Sequence, residues 1–381
     1  MPTLPLRKRT QQPPSSRALA ASLSSLVPAT AWHLLHPTKR GRFVEAPPPA
    51  PLARLYYRAL DGWSSPLFFL PPAPGGPGEP VVLAHTLGAG PDLFRYGVGP
   101  TLAQALSRAG FAVYLLTHRG DAAAIDPDDD LQPQSLQPQS QHRAFDLDDV
   151  VAHDVPAALA RVCEHAGYPR VHWVGHGLGG QLGVAWAARA AGERLATLTA
   201  LGAPVAFRQL PTELQVAVAT LGLMPSHWRL PSRAAAQCLA PLVHPDGATA
   251  PGRVRGALAH LAADLPVGVL RQARRWLFEG TLCTRDGLYD YVEALRAVDL
   301  PILFGAGGAD VVCPPEALQP LRERGEARAC SELLLPASWG HHDPLLAADA
   351  PAHVYEPLTA WLSARRRLAW ERDGEWFRAA S

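Results

Sequence analysis

Lysine is almost missing from this chain. It occurs only at Lys8 and Lys39, so arginine carries nearly all the positive charge, and the formal net charge is +1. A balance so near zero gives no general electrostatic basis for binding nucleic acid or an anionic membrane. The shortage of lysine beside abundant alanine and proline reflects GC-rich coding and says nothing of mechanism.

Cysteine is also sparse. Cys163, Cys238, Cys283, Cys313 and Cys330 are odd in number, scattered and without C-x-x-C spacing, which gives neither a disulfide framework nor a zinc site. They read as reduced thiols, consistent with a cytoplasm. Long apolar runs are missing as well: nothing reaches the roughly 18 unbroken apolar residues of a spanning helix. Arg7-Lys8-Arg9 ahead of the apolar stretch Ala18 to Leu35 superficially resembles a signal peptide. Pro13, Pro14, Pro28 and several serines interrupt that pattern, and no clean small-residue cleavage site follows. The expectation is a cytoplasmic protein with a loosely held basic leader, export or membrane association through the leader being left open.

What is present is a globular composition, 48% hydrophobic and 18% charged over 381 residues, enough for one large α/β domain with an inserted subdomain. Residues 1–51 form the Pro-rich leader, ending in Ala46-Pro-Pro-Pro-Ala-Pro51. Two short strands, Leu55 to Leu60 and Pro66 to Leu70, flank Asp61-Gly62 and predict a β-hairpin. Apolar strands at Val81 to Ala84, Ala112 to Thr117, Val171 to Val174 and Leu195 to Leu201 then alternate with helical patterns at Leu93 to Ala109, Val150 to Ala166 and Leu178 to Ala191. Such β-α-β units require a parallel sheet covered by helices on both faces.

Two stretches break the alternation. Asp121 to His142 contains Asp126-Pro-Asp-Asp-Asp130 and the near-repeat Leu131 to Gln141, and reads as a mobile polar surface loop. Its acids, Asp128 to Asp130, read as a solvated charge run, not a metal site. Residues 205–298 show helical patterns at Leu214 to Leu223, Val254 to Leu261 and Val267 to Phe278 with no convincing strand, and read as a helical cap between core segments 52–204 and 299–366. The second core segment carries a strand at Pro301 to Gly305, a helix near Pro315 to Arg324, a strand at Ser331 to Leu335 and a helix from Pro351 to Arg366. The tail 367–381 is aromatic and charged, and Trp370, Trp376 and Phe377 either pack back on the body or serve a partner.

Four loops follow parallel strands and therefore converge at the carboxyl edge of the sheet, where open α/β folds bind ligands. They are His85-Thr86-Leu87-Gly88-Ala89, Gly175-His176-Gly177-Leu178-Gly179, Gly307-Gly308-Ala309-Asp310, and Trp339-Gly340-His341-His342-Asp343-Pro344. The second has the frame of a nucleophile elbow, G-x-S-x-G, but glycine stands where the nucleophile belongs. The order elbow, acid, histidine is that of α/β-hydrolases.

On these motifs the chain resembles the α/β-hydrolase superfamily from just after the leader to about Arg366. The run Gly340 to Trp361 is similar to bacterial hydrolases related to acid lipases and polyhydroxyalkanoate synthases. The resemblance implies an α/β-hydrolase fold: a mostly parallel doubly wound sheet with an N-terminal antiparallel hairpin and an inserted helical cap. It also implies carboxylic-ester hydrolase or lipase chemistry, with Asp310 as triad acid, His341 as base, and the N–H groups of Leu87 and Leu178 as oxyanion donors beside His85, Thr86 and His176. His342 is read as a bystander and His118 as an ordinary loop histidine, while His176 faces the surrounding packing. No cofactor is implied, and His341-His342-Asp343 is too compact to ligate a metal alone.

The chain departs from that pattern at Gly177, the degenerate nucleophile position, and at Thr86, which replaces the glycine usual beside the oxyanion hole. A glycine has no hydroxyl with which to form an acyl-enzyme. The first reading is a pseudohydrolase that binds a small apolar acyl or ester ligand, or a protein partner. The alternative is an active hydrolase in which His341 and Asp310 activate water or a displaced nucleophile such as Thr86. A separate expectation from the two departures is that Thr86 fills the void over Gly177.

Overall fold

The computed structural model describes residues 52–96, 99–121, 124, 143–230, 249, 263–325 and 330–370. The N-terminal β1 (Ala53–Arg58) and β2 (Ser64–Leu70) pair antiparallel, joined through Ala59 to Trp63 with Gly62 at φ 101°. The chain then runs through β3 (Pro80–Ala84), a 3-10 turn Pro91–Arg95, α1 (Leu102–Arg108) and β4 (Ala112–Leu116). The helical spacing from Leu93 to Ala109 predicts one helix, whereas the structure has two short ones. Pro100 separates them, and Thr101 starts the second with a capping box in which its side chain accepts from the Gln104 N–H.

Helical turns Leu147–Asp149 and Val150–Asp154 lead into α2 (Val155–Ala166), followed by β5 (Val171–His176), α3 (Leu178–Arg189) and β6 (Leu195–Leu201). The insertion contributes α4 (Thr212–Leu221), a two-residue antiparallel pair of β7 (Arg229–Leu230) with β8 (Leu265–Pro266), α5 (Val267–Glu279) and α6 (Tyr291–Leu295). That small ladder corrects the strand-free expectation for 205–298; two residues per strand are too few to leave a period-2 pattern. The core resumes with β9 (Ile302–Gly305), α7 (Gln319–Gly325) and β10 (Cys330–Glu332), and closes with α8 (Glu356–Ser363). β10 is shorter than the apolar run Ser331 to Leu335 predicts, because its partner β9 ends at Gly305, one residue past the last pair Glu332–Phe304.

The eight-stranded sheet has the order β1-β2-β4-β3-β5-β6-β9-β10, antiparallel at its first two pairings and parallel elsewhere. Alternating side chains on its central strands feed two cores. Val82, Tyr114 and Trp173 pack with α2 and α3 on one face, and Val81, Leu83, Val113 and Val174 pack with α1 and α8 on the other. Burying each of these aliphatic side chains fully stabilises the fold by about 1.5–3 kcal/mol.

Polar clasps join distant segments. Arg119 bonds Asp61 and the fully buried Asp154 at 2.6 Å each. Asp148 accepts from Gln272 Nε2 at 2.6 Å, Tyr291 hydroxyl at 2.9 Å and the Arg285 N–H at 2.8 Å, tying the core to the insertion. From the tail, Trp370 rests on Tyr168 with centroids 4.2 Å apart. The expectations for the leader, for Asp128 to Asp130 and the repeat after them, for Val254 to Leu261, and for Trp376 and Phe377 lie outside the described residues. Among the described residues no helix is long and apolar enough to cross a membrane.

Candidate functional site

β3 and β5 lie side by side in the middle of the sheet, with Ala84 opposite Gly175. Thr86 and Gly177, each two residues further on, therefore emerge next to one another. They do so where the strand order reverses, since β4 lies on one side of β3 and β5 on the other. The turn at Gly177 has φ 53° and ψ −119°, a conformation that costs a residue with a Cβ roughly 1–3 kcal/mol. Its N–H bonds the Leu201 carbonyl at 2.9 Å, and its own carbonyl accepts from Gly180 and Gln181 at 3.0 and 3.1 Å, which fixes the start of α3. Gly175 and Gly179 allow the close approach beneath it: an ideal Cβ at 179 would lie 2.0 Å from the Ala84 carbonyl oxygen.

An ideal Cβ at 177 would fall 2.1 Å from Thr86 Oγ1, 2.8 Å from Thr86 Cβ and 3.2 Å from His341 Nε2. Threonine thus occupies the space that a side chain at 177 would need. The His341 ring is held from behind. Its Nδ1–H donates to Asp310 Oδ2 at 2.9 Å, and the other carboxylate oxygen accepts from the Val312 and Cys313 N–H groups at 2.9 and 2.8 Å. A carboxylate only accepts, so this bond places the proton on Nδ1 and leaves Nε2 facing Gly177. Burial pushes the Asp310 carboxyl upward, but the adjacent His341 and these hydrogen bonds outweigh it and hold the group below its usual range. Gly202 makes room for the pair, since a Cβ there would meet both Asp310 Oδ2 and His341 Nδ1 at 3.2 Å.

Above these groups lies a cavity of about 230 Å³. Thr86, Gly177, Leu178 and His341 form part of its floor, while Leu214 and Ala217 from α4 and Val269 and Trp276 from α5 form the opposing wall. Among the described residues no Lys, Arg, Asp or Glu lines it. Leu87 and Leu178 both reach its surface, and neither N–H has a hydrogen-bond acceptor among the described residues.

This deep apolar chamber opens over the carboxyl edge of a sheet with α/β-hydrolase topology, and residues 79–347 match the family model described as alpha/beta hydrolase fold. The chain belongs to the α/β-hydrolase-fold family. Among solved structures, this family member is similar to a thermophilic esterase from Thermogutta terrifontis, at 18% identity and TM-score 0.53, over 82% of this chain and 99% of that one. It is similar also to a monoacylglycerol lipase from Paleococcus ferrophilus, at 17% identity and TM-score 0.52, over 83% and 100%. A putative aryl esterase from Burkholderia cenocepacia aligns at 14% identity and TM-score 0.55, over 82% and 99%. No curated protein matches by sequence.

The remaining sequence candidates fall in different places. His176 lies behind the site, where its Nε2–H donates to the His341 carbonyl at 2.8 Å and its ring stacks 4.6 Å from that of His341. His342, read from sequence as a bystander to the chemistry, lines the main cavity and meets the rings of His176 and His341. Its place follows from the helical turn Asp343–Leu346 that starts directly after it. His85 does not line the main cavity. It stacks on His118 with centroids 4.0 Å apart, and both border a separate cavity of about 30 Å³, where burial holds both imidazoles below their usual pKa. No sequence motif marks Gly202 or the Cys313 N–H as part of the site, although Leu201-Gly202 ends another strand at the same sheet edge. Among the described residues no His, Cys, Asp or Glu group is arranged to hold a metal ion.

Proposed function

We propose that this α/β-hydrolase-fold protein binds a neutral acyl or ester ligand of apolar character, and that Gly177 stands in its nucleophile position, so that acyl transfer through residue 177 is lost. The observation that carries the reading is the position of Gly177 at the tip of the turn, within 3.2 Å of His341 Nε2 at its missing Cβ, with Thr86 filling the vacated volume. Asp310 and His341 then correspond to the acid and base of a triad, and the N–H groups of Leu87 and Leu178 to its oxyanion donors. Residues 205–298 act as the cap that shapes the ligand, between core segments 52–204 and 299–366. The similarity of Gly340 to Trp361 to acid-lipase and polyhydroxyalkanoate-synthase relatives, and the esterase and lipase among the structural neighbours, support an ester or lipid as the ligand class.

Among the described residues the cavity wall carries no charged side chain, which favours a neutral molecule, because an ionised headgroup would be desolvated there without a partner. Loss of a triad nucleophile removes on the order of 10⁶ of rate in other hydrolases, so turnover should be severely impaired. The test is displacement of an environment-sensitive fluorescent fatty ester from the purified chain by unlabelled esters. Binding of medium-chain esters is expected, weakened at least tenfold by Ala217→Trp, which fills the cavity from α4. No displacement by any neutral ester, or equal affinity in the Ala217→Trp variant, would remove the ligand assignment.

A further inference from the structure

Among the described residues the Thr86 hydroxyl is the one side-chain hydroxyl bordering the main cavity, and it lies 2.1 Å from the ideal Cβ position of residue 177. Thr86 Oγ1 and His341 Nε2 lie within 2.1 and 3.2 Å of a single point, the ideal Cβ of Gly177. The β3–β5 register that creates this proximity is fixed by four consecutive backbone pairs, Val81 to Ala84 against His172 to Gly175. Thr86 is therefore anchored to the reacting edge by the sheet itself. It is 6% exposed, and its hydroxyl makes no hydrogen bond among the described residues, neither to a competing acceptor nor to His341 Nε2, so proton transfer requires a rotation of the Thr86 hydroxyl or a small approach of the two groups.

We infer that Thr86 supplies the hydroxyl that Gly177 lacks and forms a covalent acyl-threonine with an ester bound in the cavity. The inference rests on the ligand reading above and deepens it: the site is impaired, not chemically inert. Thr86 Oγ bonds to the ester carbonyl carbon as its proton passes to His341 Nε2, which Asp310 orients through Nδ1. The carbonyl oxygen takes up the negative charge beside the Leu87 and Leu178 N–H groups, the first of which follows the attacking residue directly. The tetrahedral species collapses with cleavage of the carbon–oxygen bond to the leaving alcohol, which receives the proton from the His341 cation. The acyl group stays on Thr86 until water attacks the acyl carbon as His341 Nε2 takes its proton; the acyl carbon–Oγ bond then breaks, the proton passes from His341 to Thr86 Oγ, and the carboxylic acid leaves.

The extra methyl of threonine crowds the attack, since a β-branched side chain has restricted χ1 freedom. Capture should therefore be slow and release slower, closer to one covalent event than to rapid turnover.

The experiment uses the full chain and an octyl fluorophosphonate, in which a phosphorus–oxygen bond to the nucleophile replaces phosphorus–fluorine as fluoride leaves. Intact mass and peptide mapping should show one adduct, on Thr86. Thr86→Ser should label at least as fast, whereas Thr86→Val, nearly the same shape without a hydroxyl, and His341→Ala should label at least tenfold more slowly. Thermal melting checks that each variant is folded, and Thr86→Ser keeps the comparison meaningful if Thr86→Val is not. An adduct on another residue, or labelling of folded Thr86→Val at the wild-type rate, overturns the inference. Ester displacement without any adduct overturns the inference alone, while absence of both overturns the ligand reading and this inference with it.

Discussion

Thr86 and Gly177 share one volume: the Cβ that glycine lacks would overlap Thr86 Oγ1 at 2.1 Å and Thr86 Cβ at 2.8 Å. The two positions are coupled, and restoring one without the other should fail. Gly177→Ser alone is expected to gain no esterase activity and to lose about 1–3 kcal/mol from overpacking, beyond any cost of placing a side chain at φ 53°. The paired variant Thr86→Gly with Gly177→Ser removes the overlap and returns a hydroxyl opposite His341 Nε2. It should hydrolyse a short nitrophenyl ester well above the background of either single variant. Measuring all four proteins as a double-mutant cycle checks this, and simple additivity would contradict the shared volume.

The His341–Asp310 bond yields a prediction that does not depend on turnover. With a carboxylate at 2.9 Å, His341 must donate from Nδ1. Asp310→Asn offers an amide that can donate instead, which favours the opposite tautomer with the proton on Nε2. Nitrogen chemical shifts of His341 should report Nδ1–H in the wild type and Nε2–H in the variant. The adduct rate at Thr86 should fall by about 10²–10⁴ while ester displacement changes less than twofold.

How far these features can be read from sequence depends on whether they are local. The apolar runs at β3, β4, β5 and β6 are bounded by glycine, proline or polar turns, and each emerges at its expected place. Asp310 and His341 can be picked out because each lies in a loop after a strand, in hydrolase order. The facing of Thr86 on Gly177 is not local, because it depends on which residue of β3 pairs with which residue of β5. The same holds for Gly202, whose role arises from the packing of two loops far apart in sequence. His342 could not be told from His341 by motif alone; only the turn beginning at Asp343 sends both rings to the site. The break after Arg95 was obscured because apolar residues on either side of Pro100 continue the helical spacing.

Arg119 neutralises a charge that has no access to water. Asp154 is fully buried and bonds the guanidinium at 2.6 Å, while Asp61 holds its other edge. Arg119→Met keeps much of the volume but strands the Asp154 carboxylate, so it should destabilise the fold by about 3–5 kcal/mol. Urea unfolding at neutral pH measures the change. Combining it with Asp154→Leu should recover most of the loss, because a buried pair replaced whole by apolar residues is often neutral.

Asp146 supplies a pH signature at the junction of core and insertion. It caps the helical turn at Leu147, accepting from the Asp148 and Asp149 N–H groups, and meets Arg285 at 3.1 Å. Burial, followed by repulsion from Asp149, outweighs Arg285 and raises its pKa from 3.8 to about 7. Because the folded protein holds this proton more tightly than the unfolded chain, the group's stabilising contribution is complete below about pH 3.8 and is lost as pH rises through about 7. Asp146→Asn keeps a capping oxygen but cannot ionise. Relative to wild type, the variant should therefore gain on the order of 1–2 kcal/mol between pH 5 and pH 8. Chemical unfolding of both proteins across that interval gives the difference; parallel curves would mean that Asp146 ionises at its ordinary pKa in the folded state.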